Sequence, residues 1–192
     1  MFIAFEGIDG SGKSTHARLL YESLKLKNKV FITKEPSEGI IGQSIRELLH
    51  RNDLSPMAMQ MLFAADREEH VSKVIIPKLD DGYHVITDRY CLSTLAYGTA
   101  SGIDKKRIGS LCLGVLEPTI TFVLDISAEK AYERLRNTGK ALSVFENIEF
   151  LGKAREAYLE LAKAKRNCFV IDASKGIKEV SSGILKLVSK QR

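Results

Sequence analysis

Short apolar runs recur along this chain, and each is separated from the next by a segment long enough to hold a helix. Five runs have the composition of buried strands: Phe2–Glu6, Val30–Thr33, His84–Thr87, Ile120–Leu124 and Phe169–Asp172. Strands that alternate with helices are typical of a parallel sheet with helices on both faces. The pattern therefore predicts a three-layer α/β/α fold around a mostly parallel five-stranded sheet.

Between these strands, apolar residues repeat at helical spacing. The predicted helices cover Lys13–Lys27, Ile40–Arg51, Pro56–Leu79, Cys91–Ala100, Lys105–Val115, Ala128–Asn137, Phe145–Lys165 and Ile177–Lys190. Ser55 is placed to cap the third of these, with Pro56 at its first helical position. Ser143 and Glu146 have the spacing of a capping box, which gives Glu146 a structural interpretation.

Length and composition favour one domain that binds an anion. The chain has 192 residues, 44% of them hydrophobic, and a formal net charge of +5. This length suits one well-buried domain over residues 1–192 better than two. The charge suits anionic ligands without identifying them. Because the basic residues are scattered through predicted helices, we expect no nucleic-acid partner.

The sequence also predicts a soluble, cytoplasmic protein. No apolar run approaches the length needed to span a bilayer, and no basic segment precedes a long apolar stretch near the N-terminus. We therefore expect no membrane association. Cys91, Cys112 and Cys168 are odd in number and lack metal-ligand spacing, which favours reduced, partly buried thiols.

The most specific motif is a phosphate-binding loop of the form G-x-x-x-x-G-K-[ST]. Its residues are Gly7, Ile8, Asp9, Gly10, Ser11, Gly12, Lys13 and Ser14, between the first strand and the first helix. Glycines let backbone N–H groups approach a polyphosphate, and the helix N-terminus attracts its charge. Lys13 is then expected to neutralise the β- and γ-phosphates, and Ser14 to offer its hydroxyl to Mg²⁺. A plain glycine-rich turn is the alternative, and the flanking elements argue against it.

A second motif, Asp88-Arg89-Tyr90, ends the third strand. A carboxylate at the end of a strand beside the phosphate loop suits a contact with Mg²⁺ through the ligands that surround the ion, and Arg89 would then lie close to the transferring phosphate. A surface ion pair that caps the next helix explains the same two residues. The motif alone leaves both interpretations open.

Segments in a fixed order along about residues 2–185 resemble one family. They are Phe5–Thr15, Thr33–Pro36, Leu62–Arg67, Asp88–Tyr97, Phe145–Ala162 and Ile171–Ser174. Together they resemble the thymidylate kinase family of P-loop nucleoside monophosphate kinases. The resemblance implies transfer of the γ-phosphoryl group of ATP to dTMP, with Mg²⁺ as cofactor. It also implies a short lid at about residues 136–146, a homodimer, and Thr15 as a further nucleotide-binding residue.

Phe63 and Arg67 are four residues apart, so they project from one face of a helix. Without the resemblance, a core aromatic would be the preferred interpretation of Phe63. The resemblance implies that Phe63 stacks on thymine while Arg67 bonds its exocyclic oxygen. It assigns the remaining substrate contacts to Glu35, Pro36, Arg89, Ser93, Thr94 and Tyr97. Among these, Ser93 and Thr94 meet the polar edge of the base.

The resemblance also implies how the acceptor is chosen and held. Tyr97 lies against the sugar and excludes a 2′-hydroxyl, at a cost of about 1–3 kcal/mol for burying that group unpaired. One methyl group is worth only about 1–3 kcal/mol, so some turnover of dUMP is expected. Asp9 contacts the acceptor sugar or a nearby metal, and Arg89 clamps the acceptor phosphate. No general base is needed, because the attacking phosphate oxygen is already ionised.

The chain departs from the family pattern at three places. Lys34 stands where arginine is usual, and Gly98-Thr99 replaces Gln-Gly after the tyrosine. Ser143-Val144 occupies the lid position where the related subgroup often has Asp-Arg, although the phosphate loop has no arginine of its own. The remaining basic candidates are Arg134, Arg136 and Lys140. We expect Arg136, with Lys140, to close over the transferring phosphate.

Other function classes remain to be excluded. A P-loop kinase of another nucleoside monophosphate or of a deoxynucleoside is the nearest alternative. A GTP-dependent switch normally carries an N-K-x-D segment after a later strand, whereas Asn28-Lys29-Val30-Phe31 lacks the Asp and precedes the second strand. A nucleic-acid-binding ATPase is the third candidate, and DNA-stimulated turnover would identify it.

Overall fold

A five-stranded parallel sheet organises the chain. The computed structural model describes residues 1–49, 51, 53–137 and 147–191. The strands are β1 (Phe2–Glu6), β2 (Val30–Lys34), β3 (His84–Asp88), β4 (Ile120–Asp125) and β5 (Cys168–Asp172). They lie in the order β2-β3-β1-β4-β5, and every neighbouring pair is parallel. The predicted sheet is therefore confirmed.

Helices connect the strands and cover both faces of the sheet. They are α1 (Lys13–Leu24), α2 (Ile40–Leu48), α3 (Pro56–His70), α4 (Ile76–Asp80), α5 (Cys91–Ala100), α6 (Lys105–Ser110), α7 (Ala128–Arg136), α8 (Ile148–Lys163) and α9 (Ile177–Ser189). This arrangement confirms the three-layer α/β/α fold.

Alternation along β1 divides the apolar core between the two faces. Ile3 and Phe5 pack in the larger cluster, with side chains of α1, α8 and α9. Phe2 and Ala4 point the other way, into a smaller cluster that contains Ile75. Successive strand residues face opposite sides, so a run buried at every position requires helices on both sides.

The strand register places the site at one edge of the sheet. Phe5 pairs with Asp88, and Lys34 pairs with Asp88 from the other side. The carboxyl ends of β1, β2 and β3 therefore meet where the phosphate loop leaves β1. Ligands of open α/β sheets bind at this edge.

Some predicted helix ends need correction. The helix expected to reach Val115 ends at Ser110, in a stretch weakened by Gly109 and Gly114. The helix expected to run to Leu79 is interrupted by a π-helical turn at Val71–Ile75. Pro77, which has no N–H to donate to an earlier turn, follows directly.

Of the two predicted helix caps, the one at Ser55 is confirmed and the one at 143–146 falls among residues that the structure does not describe. Ser55 caps α3, and its hydroxyl accepts a hydrogen bond from Ala58 N–H, as predicted. The predicted capping box at 143–146 falls outside the described residues. Helix α8 begins at Ile148, where the Asn147 side chain accepts from Phe150 N–H.

Within the described ranges, no helix combines the length and the apolar character needed to cross a bilayer. Cys91, Cys112 and Cys168 are free and half-buried, as predicted.

Candidate functional site

The phosphate loop connects β1 to α1 in a conformation that only glycine accommodates at several positions. Gly7, Gly10 and Gly12 have φ angles of 134°, 79° and 95°. A Cβ atom on Gly7 would lie 2.6 Å from the Leu124 carbonyl oxygen, and one on Gly10 would lie 2.4 Å from that of Ala131. The glycines therefore serve both the turn and the close packing of the loop against its neighbours.

Lys13 lies inside this loop. Its Nζ donates to the Ile8 carbonyl at 2.9 Å and lies 3.9 Å from Asp9 Oδ1. Burial, assisted by the positive charge of Arg89, lowers the pKa of Lys13. A polyphosphate in the loop would supply the negative charge that favours the ammonium form.

Ser14 and Asp88, the two predicted metal ligands, lie side by side. The Ser14 hydroxyl donates to Asp88 Oδ2, while Asp88 Oδ1 is buried without a hydrogen-bond partner among the described residues. No cluster of three His, Cys, Asp or Glu side chains suited to a metal occurs in that part of the chain. Magnesium bound with nucleotide phosphates takes one or two protein oxygens and keeps several waters. The hydroxyl and the free carboxylate oxygen therefore fit Mg²⁺.

Arg89 follows β3 and meets the phosphate loop at Asp9. Among the described residues, Arg89 is the one residue other than glycine that has a positive φ angle, 73°. Its Nη2 donates to Asp9 Oδ1 and, at 3.2 Å, to Tyr97 Oη, which in turn donates to Asp9 Oδ2 at 2.6 Å. Burial alone would raise the pKa of Asp9, but the charges of Arg89 and Lys13 hold it at about 2. The predicted phosphate clamp is thus paired with an ionised carboxylate.

Arg67 lies on α3 and is almost fully buried. Its Nε donates to Glu35 Oε2 at 3.0 Å, and its Nη2 donates to Thr94 Oγ1 at 2.8 Å and to the Tyr90 carbonyl at 3.2 Å. Phe63, one turn earlier, is half-buried and shares a cavity with Arg67 and Thr94. Phe63 and Arg67 therefore line the same cavity, and their contacts with a base stay a prediction.

Glu35 lines the cavity beside Arg67, and the peptide bond that joins it to Pro36 is cis. Its other oxygen, Oε1, lies 3.3 Å from Nδ1 of the buried His70, whose Nε2 lies 2.7 Å from Thr33 Oγ1. This chain of contacts fixes the orientation of Arg67. His70, three residues after Arg67 on α3, was missed, although its helical spacing was available in the sequence.

One cavity of about 920 Å³ joins the phosphate loop to the Phe63 pocket. The predicted residues that line it are Asp9, Gly10, Gly12, Lys13, Ser14, Thr15, Glu35, Pro36, Phe63, Arg67, Asp88, Arg89, Ser93, Thr94 and Tyr97. Gly7, Ile8 and Ser11 are buried in the loop behind its surface. The Ser93 hydroxyl is engaged by Glu6, Arg89 and Tyr158, so its contact with the base stays a prediction.

Arg134 and Arg136, both on α7, differ in their position relative to the cavity. Arg136 is exposed and is not part of the cavity lining, and Lys140 lies outside the described residues. Arg134 lines the cavity, where its guanidinium donates to the carbonyls of Gly10 at 3.3 Å and Ala173 at 3.2 Å. Arg134 is therefore the basic residue of α7 that the fold brings to the phosphate loop, while the role of Arg136 stays a prediction.

Two departures from the family pattern have structural counterparts. Lys34 lines the cavity and forms an ion pair with Glu38, with 3.0 Å between Nζ and Oε1. A Cβ atom on Gly98 would lie 2.5 Å from Ile108 Cγ1. Helix α6 therefore packs against α5 too closely for the glutamine that is usual there.

Comparisons with known proteins agree with this geometry. A family model described as thymidylate kinase matches residues 5–184. A probable thymidylate kinase of Pyrobaculum calidifontis is 40% identical over 191 residues, covering 99% of this chain and 96% of the relative. One of Archaeoglobus fulgidus is 41% identical over 190 residues, with 98% and 94% covered. A thymidylate kinase of Thermosipho africanus is 41% identical over 197 residues, with 99% and 98% covered.

Proposed function

Because this chain belongs to the thymidylate kinase family, we propose that it transfers the γ-phosphoryl group of ATP to dTMP and releases dTDP. One observation carries the proposal. A single cavity has the phosphate loop at one end and the Phe63–Arg67 pair at the other, with Arg89 between them. Two nucleotides bound end to end in it would bring their phosphates together beside Arg89 and Lys13.

On the donor side, the loop residues 7–15 hold the phosphates of ATP through backbone N–H groups and Lys13. Ser14 and Asp88 would hold Mg²⁺, and the bound ion would neutralise phosphate charge. The adenosine lies toward Arg134 and Lys175, which line the same cavity beyond the loop.

On the acceptor side, the thymine ring lies against Phe63, and Arg67 donates to its exocyclic oxygen. Thr94, already bonded to Arg67, faces the same edge of the base. Tyr97 is fixed by Asp9, so its ring stays beside the sugar and leaves no room for a 2′-hydroxyl. These contacts favour a deoxyribonucleotide with a 4-oxo pyrimidine.

The chemistry needs position and charge rather than a base. The ionised oxygen of the acceptor phosphate attacks the γ-phosphorus, and the oxygen that bridges the β- and γ-phosphates leaves on ADP. Arg89 offsets the repulsion between the two phosphates and aligns them. Lys13 stabilises the charge on the leaving side.

The proposal includes Arg136 as the lid residue that meets the transferring phosphate, in a lid at about 136–146. Its support is position alone, since α7 ends there, 138–146 lie outside the described residues, and Arg136 is exposed. The test is kcat for Arg136→Ala. A loss below about threefold, which corresponds to ~0.7 kcal/mol, excludes a main catalytic role.

We further propose one nucleoside monophosphate kinase domain over residues 1–192, a homodimer, and a cytoplasmic location. The first two follow the family pattern. Sedimentation equilibrium over a range of protein concentrations tests the dimer, and a monomer at all concentrations contradicts it.

A coupled ATPase assay with a panel of acceptors tests the main proposal. The panel contains dTMP, dUMP, the ribonucleotide analogue of dTMP, dCMP, AMP and thymidine. We expect the highest kcat/KM for dTMP and a lower but measurable value for dUMP. A higher value for any other acceptor reassigns the enzyme to the neighbouring class of P-loop kinases. Stimulation of ATP turnover by DNA alone would reassign it to the nucleic-acid-dependent ATPases.

A further inference from the structure

A buried carboxylate with no role in the steps above lies directly behind Arg89. Glu6 is the last residue of β1, and it is fully buried. Its Oε1 accepts from the N–H groups of Tyr90 at 3.0 Å and Ser93 at 3.3 Å. Its Oε2 accepts from the Ser93 hydroxyl at 2.6 Å and from the Tyr158 hydroxyl at 3.3 Å. Both oxygens are thus fully used by protein donors.

These bonds surround the turn that contains Arg89. The Arg89 N–H donates to the Phe5 carbonyl at 2.8 Å, and Glu6 takes the next N–H group, that of Tyr90. Two consecutive residues of β1 therefore hold two consecutive residues of the turn. Arg89 has a φ of 73°, an unfavourable conformation that persists only where the surroundings enforce it.

Tyr158 extends this support to α8. Its hydroxyl lies 2.8 Å from Ser93 Oγ and 3.5 Å from Arg89 Nη1, besides its bond to Glu6. The guanidinium is thereby held at Nη1, whereas Asp9 binds its Nη2. Sequence separation hides this arrangement, since Glu6 and Tyr158 are 152 positions apart.

Burial, a hydrogen bond and nearby charged groups all influence the ionisation of Glu6. Burial raises the pKa of Glu6, whereas the bond from Ser93 and the charges of Arg89 and Arg67 lower it. The titratable and charged groups that face it are Lys13, Glu35, Arg67, Arg89, Cys112, Tyr158 and Cys168. Its four direct donors are all neutral, so its ionised form depends on hydrogen bonds more than on contact ion pairs.

We propose that Glu6, in its ionised form, and Tyr158 are positioning residues that hold Arg89 in the conformation that clamps the acceptor phosphate. The inference rests on the proposed function for the identity of that phosphate. Protonated Glu6 would lose one acceptor oxygen, and the turn would lose a bond on one side of Arg89. The defect would appear in the use of dTMP and not in the binding of ATP.

The experiment compares Glu6→Gln and Tyr158→Phe with wild-type enzyme, each at saturating concentrations of the other substrate. We expect Glu6→Gln to lower kcat/KM for dTMP about tenfold or more, through the loss of a buried charged acceptor. Tyr158→Phe should lower it about threefold to tenfold, because one hydroxyl is lost. The KM for ATP should stay within about twofold in both variants. Glu22→Gln and Tyr83→Phe, which line neither this cavity nor the pocket beside Glu6, are the matched controls.

The pH profile supplies a readout that a merely structural role would not move. In the wild type, kcat/KM for dTMP should fall with decreasing pH, starting above the range where an exposed glutamate titrates. The titration of the dTMP phosphate near pH 6 contributes equally to wild type and variant, so their difference isolates Glu6. In Glu6→Gln, the part of the acidic limb due to Glu6 should be absent.

Wild-type values of kcat/KM and an unchanged acidic limb in Glu6→Gln overturn the inference. So do equal losses for dTMP and ATP. If Glu6→Gln does not fold, Tyr158→Phe decides alone, and an unchanged kcat/KM for dTMP in that variant refutes the proposal. A failure of the proposed function is distinct, since the wild-type enzyme itself would then not phosphorylate dTMP.

Discussion

The buried ion pair between Arg67 and Glu35 should be costly to break. Arg67 Nε and Glu35 Oε2 are 3.0 Å apart, and the two side chains are 2% and 3% exposed. Arg67→Met leaves a buried carboxylate without its cation, which costs about 3–5 kcal/mol of unfolding free energy. At about 2–4 °C per kcal/mol for a chain of 192 residues, Tm should fall by about 6–20 °C.

A double-mutant cycle separates this pair from general loss of packing. Arg67→Met, Glu35→Gln and the double variant are unfolded in urea, and their free energies of unfolding are compared. Because the double variant leaves no charge unpaired, its loss should be smaller than the sum of the single losses by about 1–3 kcal/mol. The exposed pair of Lys165 and Glu117 is the control, with an expected coupling of about 0–1 kcal/mol. Additivity within ~0.5 kcal/mol at Arg67 and Glu35 would refute the reasoning.

Activity provides the second half of this prediction. A bond from a charged donor is worth about 1.5–3 kcal/mol, so Arg67→Met should lower kcat/KM for dTMP about 10- to 150-fold. The KM for ATP should be unaffected. If Arg67→Met is folded and uses dTMP as the wild type does, Arg67 does not contact the base.

Three further substitutions test other parts of the site. Gly10→Ala should lower Tm by roughly 2–8 °C, because the left-handed backbone alone costs about 1–2 kcal/mol and the new Cβ meets the Ala131 carbonyl; an unchanged Tm in calorimetry contradicts the loop geometry. Tyr97→Phe removes a hydroxyl from Asp9 and should lower kcat/KM for dTMP about 5- to 150-fold. Since its ring remains, the preference for deoxyribose should persist, and turnover of the ribonucleotide at an equal rate would show that the ring does not exclude the 2′-hydroxyl. Asp88→Asn should raise the Mg²⁺ concentration for half-maximal activity about 10- to 100-fold, and an unchanged Mg²⁺ titration would exclude Asp88 from the metal site.

The parts of the fold that depend on local pattern were predictable. The three central strands, β1, β3 and β4, are mostly buried, and the edge strands β2 and β5 are apolar although partly exposed. All five therefore stand out as short apolar runs, and the loop at residues 7–14 is identified by its glycines. The interruption of the long helix at Val71–Ile75 was not predictable from apolar spacing, because a π turn adds one residue without changing composition. Pro77 was the available signal.

Contacts across long sequence separations were the parts of the site that sequence could not supply. The bonds of Glu6 to Tyr158, and of Glu35 to His70, depend on how α8 and α3 meet the sheet. Arg134 is a different case. It lies three residues after the buried Ala131, so its face of α7 could have been assigned from helical spacing.

The ion pair between Arg89 and Asp9 affects which ligands can bind at Arg89. Without a ligand, the Arg89 guanidinium is already paired with the Asp9 carboxylate, so its charge is neutralised. A doubly charged phosphate ester outcompetes a singly charged carboxylate for those N–H donors, whereas an uncharged nucleoside offers nothing in exchange. Free thymidine should therefore inhibit the enzyme only weakly, even where its ring fits the cavity.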